Sequence, residues 1–106
     1  MIDERKREPY RAMVLVVDDD PGVSMALERS IKHLGYRVCV ASDGAAGFEE
    51  ALRSDPAVVL TDVHMPGMDG HTLLRRLVSS GARASVILKG MEGKRLTYRR
   101  IGALAA

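Results

Sequence analysis

Asp18, Asp19 and Asp20 stand in a row directly after a continuous apolar run, Met13-Val-Leu-Val-Val17. Asp62 stands after a second such run, Ala57-Val-Val-Leu-Thr61. Uninterrupted apolar runs of this length read as strands buried on both faces. Acidic side chains at the carboxyl ends of such strands lie where open α/β sheets bind their ligands. If the two strands are neighbours, Asp18, Asp19 and Asp62 converge in one pocket. Like charges at that range raise each other's pKa unless a cation neutralises them. Hard oxygen donors without His or Cys favour Mg²⁺, which keeps waters and recruits phosphate oxygens. A carboxylate held in this way can attack phosphorus and form an aspartyl phosphate. The residues therefore point to a Mg²⁺-dependent phosphoryl-acceptor site.

Two plainer readings compete. The Asp triplet could merely cap a helix while Asp62 opens an Asx turn. Either piece alone fits that reading, but the two together on apolar strands favour the functional one. Asp18-x-Asp20 after a strand is also similar to the start of haloacid-dehalogenase-type phosphatases. Pro21-Gly22 continues that pattern poorly, and it leaves Asp62 to Gly70 unexplained. Steady turnover of a phosphomonoester would mark that class.

The elements that must hold these groups follow in order. Met1–Ala12 is polar and reads as a leader, and residues 13–106 as one domain. Asp20 is a good N-cap and Pro21 suits the first helical turn. Val23, Leu27, Ile31 and Leu34 recur at helical spacing, and Gly35 closes the helix. Arg37–Ala41 is a less apolar strand, nearer an edge. Ser42-Asp43-Gly44 turns into a helix with Phe48, Ala51 and Leu52 facing inward, ended by Asp55-Pro56. After the strand at 57–61, Pro66-Gly67 forces a turn and Asp69 caps a helix over Gly70–Ser80, with Gly81 as its stop. Ser85-Val-Ile-Leu88 is a fourth strand, and Glu92–Ala105 reads as a last helix with a thin apolar pattern. Strands alternating with helices predict a doubly wound parallel sheet of four strand–helix units.

A chain of 106 residues with 46% hydrophobic and 28% charged residues has the composition of one ordinary globular domain. No apolar run approaches the roughly 20 residues of a membrane span, and the charged N-terminus lacks a secretory apolar region. The lone Cys39 excludes an internal disulfide and suits a reducing cytoplasm. Residues 13–88 carry seven bases and ten acids, whereas 89–106 carry five bases and one acid. That basic tail (Lys89, Lys94, Arg95, Arg99, Arg100) has only Tyr98 interleaved, so a solvated or protein-binding face is favoured over nucleic acid. His33, His64 and His71 show no metal-ligand spacing, and Met65 and Met68 read as packing residues.

V-L-V-V-D-D-D-P and T-D-V-H-M-P-G-M-D-G-H-T-L-L together resemble the receiver domain of two-component response regulators, over about Met13 to Gly90. The resemblance implies a flavodoxin-like sheet of order 2-1-3-4-5. It implies that Asp62 is the phosphoacceptor, that Asp19 is a direct Mg²⁺ ligand, and that Asp18 binds the metal mainly through water. His64 falls where a backbone carbonyl completes the metal site, so its imidazole is not implicated. Pro66 and Gly70 match residues shaping the loop after the acceptor. The implied partner is the phosphohistidine of a sensor histidine kinase or phosphotransfer protein. The implied role is signal relay without turnover, through the fourth strand and last helix. The alternative is a degenerate receiver that binds partners independently of phosphorylation.

Two departures from the family pattern matter. Where the family places Thr or Ser at the end of the fourth strand, this chain has Lys89. Lys89 could contact Asp62 or the phosphoryl group as a point charge, or turn outward, as Lys is rarely buried. The outward placement is the favoured expectation. The family also carries a Lys-Pro pair after a fifth strand, and no Lys-Pro occurs here. The chain is thus expected to lack the fifth strand and helix, being incomplete at its C-terminus. That leaves the fourth strand as an exposed apolar edge and part of the first helix uncovered. Homodimerisation through that edge or the last helix is the expected consequence.

Overall fold

The structure, a computed structural model, describes the backbone of residues 12–92 and 95–103 and the side chains of residues 12–90. Its elements are β1 (Met13–Val17), α1 (Pro21–His33), β2 (Arg37–Ala41), α2 (Gly44–Ser54), β3 (Val58–Asp62), α3 (Gly70–Ser79), β4 (Ser85–Glu92) and β5 (Arg95–Ala103). The expected leader, Met1–Ala12, lies outside the described residues except for Ala12.

The strands form one sheet in the order β2-β1-β3-β4-β5. β1 pairs in parallel with both β2 and β3, and β3 with β4. The chain leaves β1 toward β2 on one side and reaches β3 on the other, so a cleft opens at the carboxyl ends of β1 and β3. The main core forms on one face of the sheet, where Leu15, Val17, Val59, Val86 and Leu88 are buried with Ala51 of α2 and Leu73 and Leu77 of α3. α2 comes so close to β1 that a Cβ on Gly47 would stand 2.8 Å from a Val17 methyl. Side-chain alternation sends Val16 and Leu60 to the opposite face, where both are buried.

Most of the expected elements are present, with β3 displaced one residue toward its carboxyl end. Asp20 and Asp69 cap α1 and α3 as expected, their carboxylates accepting from Gly22 and Val23 and from Thr72. The inward faces of the first two helices differ in detail. Leu34 is 72% exposed and Leu52 is 55% exposed, so neither faces inward. Val23, Leu27 and Ile31 are only half-buried, as an incompletely covered α1 implies.

The larger correction concerns the chain after Leu88. The helix expected over Glu92–Ala105 is instead a strand over 95–103, the last two positions of that helix lying outside the described residues. β4 runs on to Glu92, and β5 returns antiparallel to it, pairing from Glu92↔Arg95 to Ser85↔Ala103 with a one-residue register shift between Val86 and Ile87. Thr97, Tyr98 and Ile101 are strand-preferring residues, and an antiparallel return gives the backbone of β4 a hydrogen-bonded partner after a very short connection. A fifth strand therefore exists, but of opposite direction, and three helices rather than four are found among the described residues. The edge of β4 expected to be exposed is consequently paired with β5, and residues 95–103, expected in the last helix, form that strand.

Candidate functional site

The three consecutive aspartates do three different things. The backbone N–H of Asp18 donates to the carbonyl of Ala41 at 3.1 Å, carrying the ladder one residue past β1. Its side chain is buried, at 2% exposure, and its Oδ1 accepts from the N–H of Asp20 at 2.9 Å. Asp20 turns its carboxylate to the first turn of α1, accepting from Gly22 at 2.9 Å and Val23 at 3.3 Å. Asp19 between them is exposed. The capping reading of the triplet thus holds for Asp20 alone.

Asp62 ends β3 opposite Lys89 of β4. The loop after it is held at both ends, Val63 N–H donating to the Lys89 carbonyl at 3.0 Å and Gly70 N–H to the Val63 carbonyl at 2.9 Å. Within that loop Met65 is buried and Met68 packs on the core, as expected of both. A Cβ on Gly44 would stand 2.5 Å from the Met68 carbonyl oxygen, so the start of α2 supports the same loop. His64 is exposed, lining an open cavity of about 360 Å³ with Met65, Pro66, Gly67 and Asp69.

One carboxylate oxygen from each of Asp18, Asp19 and Asp62 lies within 4.8 Å of the others. The convergence read from the sequence is therefore present. Lys89 joins it, against the favoured expectation. Its side chain is buried at 7% exposure, with Nζ 2.7 Å from Asp18 Oδ2 and 3.9 Å from Asp62 Oδ2. The strand register gives the reason: opposite Asp62, Lys89 shares its pleat face and so extends toward the same acidic side chains. A buried ammonium is tolerated where carboxylates compensate it.

Burial pushes the Asp62 carboxyl above its usual range; the Lys89 charge opposes this, the Asp18 and Asp19 charges reinforce it, and the Val63 N–H opposes it again. The donor set fits a hard divalent cation. It is all oxygen, and its three carboxylates less one ammonium leave two formal negative charges. Asp18 Oδ2 is buried and, the Lys89 ammonium aside, meets no hydrogen-bond donor among the described residues.

Comparison with known proteins agrees with this geometry. A sequence model described as the response regulator receiver domain matches residues 14–103. The chain belongs to the response regulator receiver domain family. This receiver is 31% identical over 102 residues to the probable transcriptional regulatory protein TcrX of Mycobacterium tuberculosis, covering 96% of this chain and 43% of that protein. It is 41% identical over 68 residues to the response regulator MprA of Mycobacterium leprae, covering 64% and 30%. The chain thus spans less than half the length of these curated relatives. Among solved structures, a response regulator receiver domain protein from Clostridium thermocellum superposes with a TM-score of 0.73 at 26% identity, covering 77% of this chain and 67% of that one. The family operates in two-component signalling, where phosphorylation and Mg²⁺ binding are typical. No helix among the described residues is long and apolar enough to cross a membrane.

Proposed function

We propose that this receiver takes a phosphoryl group onto Asp62 from the phosphohistidine of a sensor histidine kinase or phosphotransfer protein in the cytoplasm. The observation carrying the reading is the convergence of Asp18, Asp19 and Asp62 with Lys89 at the carboxyl ends of β1, β3 and β4. An oxygen of Asp62 attacks phosphorus, the phosphorus–nitrogen bond of the phosphohistidine breaks, and the departing imidazole takes up a proton. Asp62 is left as an acyl phosphate, made once per activation rather than turned over. Asp18, Asp19, Asp62 and the backbone carbonyl of His64 would hold Mg²⁺, which when bound neutralises charge on the phosphoryl oxygens. Lys89, already 3.9 Å from Asp62 Oδ2, offers a second positive charge to those oxygens. Lys89 lies on β4, the strand that pairs with β5, so its contacts with a phosphoryl group would fall beside that strand pair.

The Lys89–Asp18 pair also favours a second reading, a receiver that recognises partners by shape alone with its pocket permanently satisfied. Beryllofluoride with Mg²⁺, a mimic of the acyl phosphate, separates the two. Amide shift changes at Asp62, Lys89 and along β4–β5 are expected for the phosphoryl-dependent receiver. A spectrum that does not respond assigns the chain to the phosphorylation-independent class.

A further inference from the structure

Among Asp18, Asp19 and Asp62, only Asp18 is buried, and both of its oxygens are committed. Oδ1 accepts from the Asp20 N–H at 2.9 Å, and Oδ2 faces Lys89 Nζ at 2.7 Å. The first contact builds the turn from which Asp20 caps α1, so giving it up would unsettle the start of that helix. The second involves a flexible four-carbon stem, whose head can move without disturbing the backbone. A divalent ion that draws on Asp18 therefore competes with the ammonium. Holding both is costly, since two cations on one buried carboxylate repel at short range and low local dielectric.

We infer that Lys89 is a tethered cation that holds the acidic pocket in place of a divalent metal, so that metal entry and the Lys89–Asp18 ion pair are mutually exclusive. The inference rests on the reading of Asp18, Asp19 and Asp62 as a cation site. It adds that this chain carries its own competitor for that site, on the strand residue where the family has a hydroxyl. Without metal, the ammonium compensates the buried carboxylate and the pocket stays ordered. On metal entry the ammonium is released toward Asp62, where an incoming phosphoryl group would meet it. Linkage makes the effect reciprocal: the factor by which the ion pair weakens metal binding is the factor by which metal weakens the ion pair.

The test is a MgCl₂ titration of the full chain and of Lys89→Met, followed by amide NMR, since the chain has no tryptophan to report on the pocket. Lys89→Met is expected to bind Mg²⁺ about tenfold more tightly, within the usual range of coupling between sites. Loss of a distant positive charge would also tighten binding, but only through a screened field. The gain is therefore expected to persist in about 1 M KCl, where the Debye length is about 3 Å. The melting temperature of Lys89→Met is expected to fall without Mg²⁺ and to recover with it, because the variant leaves a buried carboxylate uncompensated. A Lys89→Met chain that folds only with Mg²⁺ shows the same exchange; if it folds in neither condition, Lys89→Gln takes its place. Equal or weaker Mg²⁺ affinity in the variant, or a gain abolished by salt, overturns the inference and leaves the metal site standing. No Mg²⁺-dependent shift in either protein overturns both.

Discussion

Gly70 and Asp62 meet backbone to backbone: a Cβ at position 70 would stand 2.5 Å from the Asp62 carbonyl oxygen and 3.2 Å from the Cα of Val63. The first residue of α3 is thereby pressed against the end of the strand that presents the acceptor. Glycine is required here for space, and the lack of a side chain is what lets the helix start seat the loop. Gly70→Ala is expected to destabilise the fold by about 1–3 kcal/mol through overpacking and to slow phosphoryl incorporation. Gly67→Ala offers the contrast, since position 67 has φ +79 and open space around it. It should cost about 1–2 kcal/mol of backbone strain while leaving labelling near normal. Urea unfolding and acetyl phosphate labelling of both variants check the pair. A Gly70→Ala chain as stable and as reactive as the parent would contradict the contact.

Asp62 should make stability depend on pH in an unusual direction. Burial, supported by the charges of Asp18 and Asp19, raises its pKa despite Lys89. A carboxyl with a higher pKa folded than unfolded favours the folded state most at pH below its ordinary value of 3.8. That contribution declines as pH rises through the raised folded pKa, because the unfolded chain then binds fewer protons than the folded one. Ionised Asp62 thus works against folding at neutral pH. Asp62→Asn is expected to melt at a higher temperature than the parent at neutral pH, with the difference shrinking in acid. Thermal melts across that range decide it, and a lower melting temperature at neutral pH would contradict the electrostatic account.

Two leucines, one on α2 and one on α3, should behave differently. Leu77 is fully buried in the main cluster, whereas Leu52 is 55% exposed. Leu77→Ala is expected to cost about 2–5 kcal/mol, and Leu52→Ala no more than about 0.5 kcal/mol, as for other surface changes. Denaturant titration of each variant measures both. Similar losses at the two positions would mean that α2 is rotated from the orientation described.

These cases mark what could be read from the sequence. The acidic pocket was legible because its carboxylates follow two uninterrupted apolar runs, a pattern that fixes both burial and strand polarity. Caps at Asp20 and Asp69 were legible because capping is local chemistry. Leu34 and Leu52 were misplaced because helical spacing defines a stripe but not its edges. Lys89 was misplaced because intrinsic preference sends lysine outward, whereas its register opposite Asp62 sends it into the acidic face. The last strand was read as a helix because its periodicity is weak, and the exposed edge of β4, itself legible, was not matched to residues 95–103 as its partner. A signal was nevertheless present: Gly93-Lys94 separates two runs that could pair, the usual mark of a hairpin.

Backbone carbon shifts test that reassignment directly. Residues 95–103 are expected to show strand-type shifts, with cross-strand contacts between the backbones of Lys89 and Tyr98 and of Gly90 and Thr97. Helical shifts over the same residues would restore the sequence expectation and remove β5.

The most direct measurement is phosphoryl incorporation from acetyl phosphate, with the modified residue located by mass spectrometry. One phosphoryl group on Asp62 is expected in the presence of Mg²⁺, lost in Asp62→Asn and strongly reduced in Asp19→Ala or on chelation. Label that survives in Asp62→Asn, or a parent chain that takes up none with Mg²⁺ present, would contradict the assignment of this pocket as a phosphoryl acceptor.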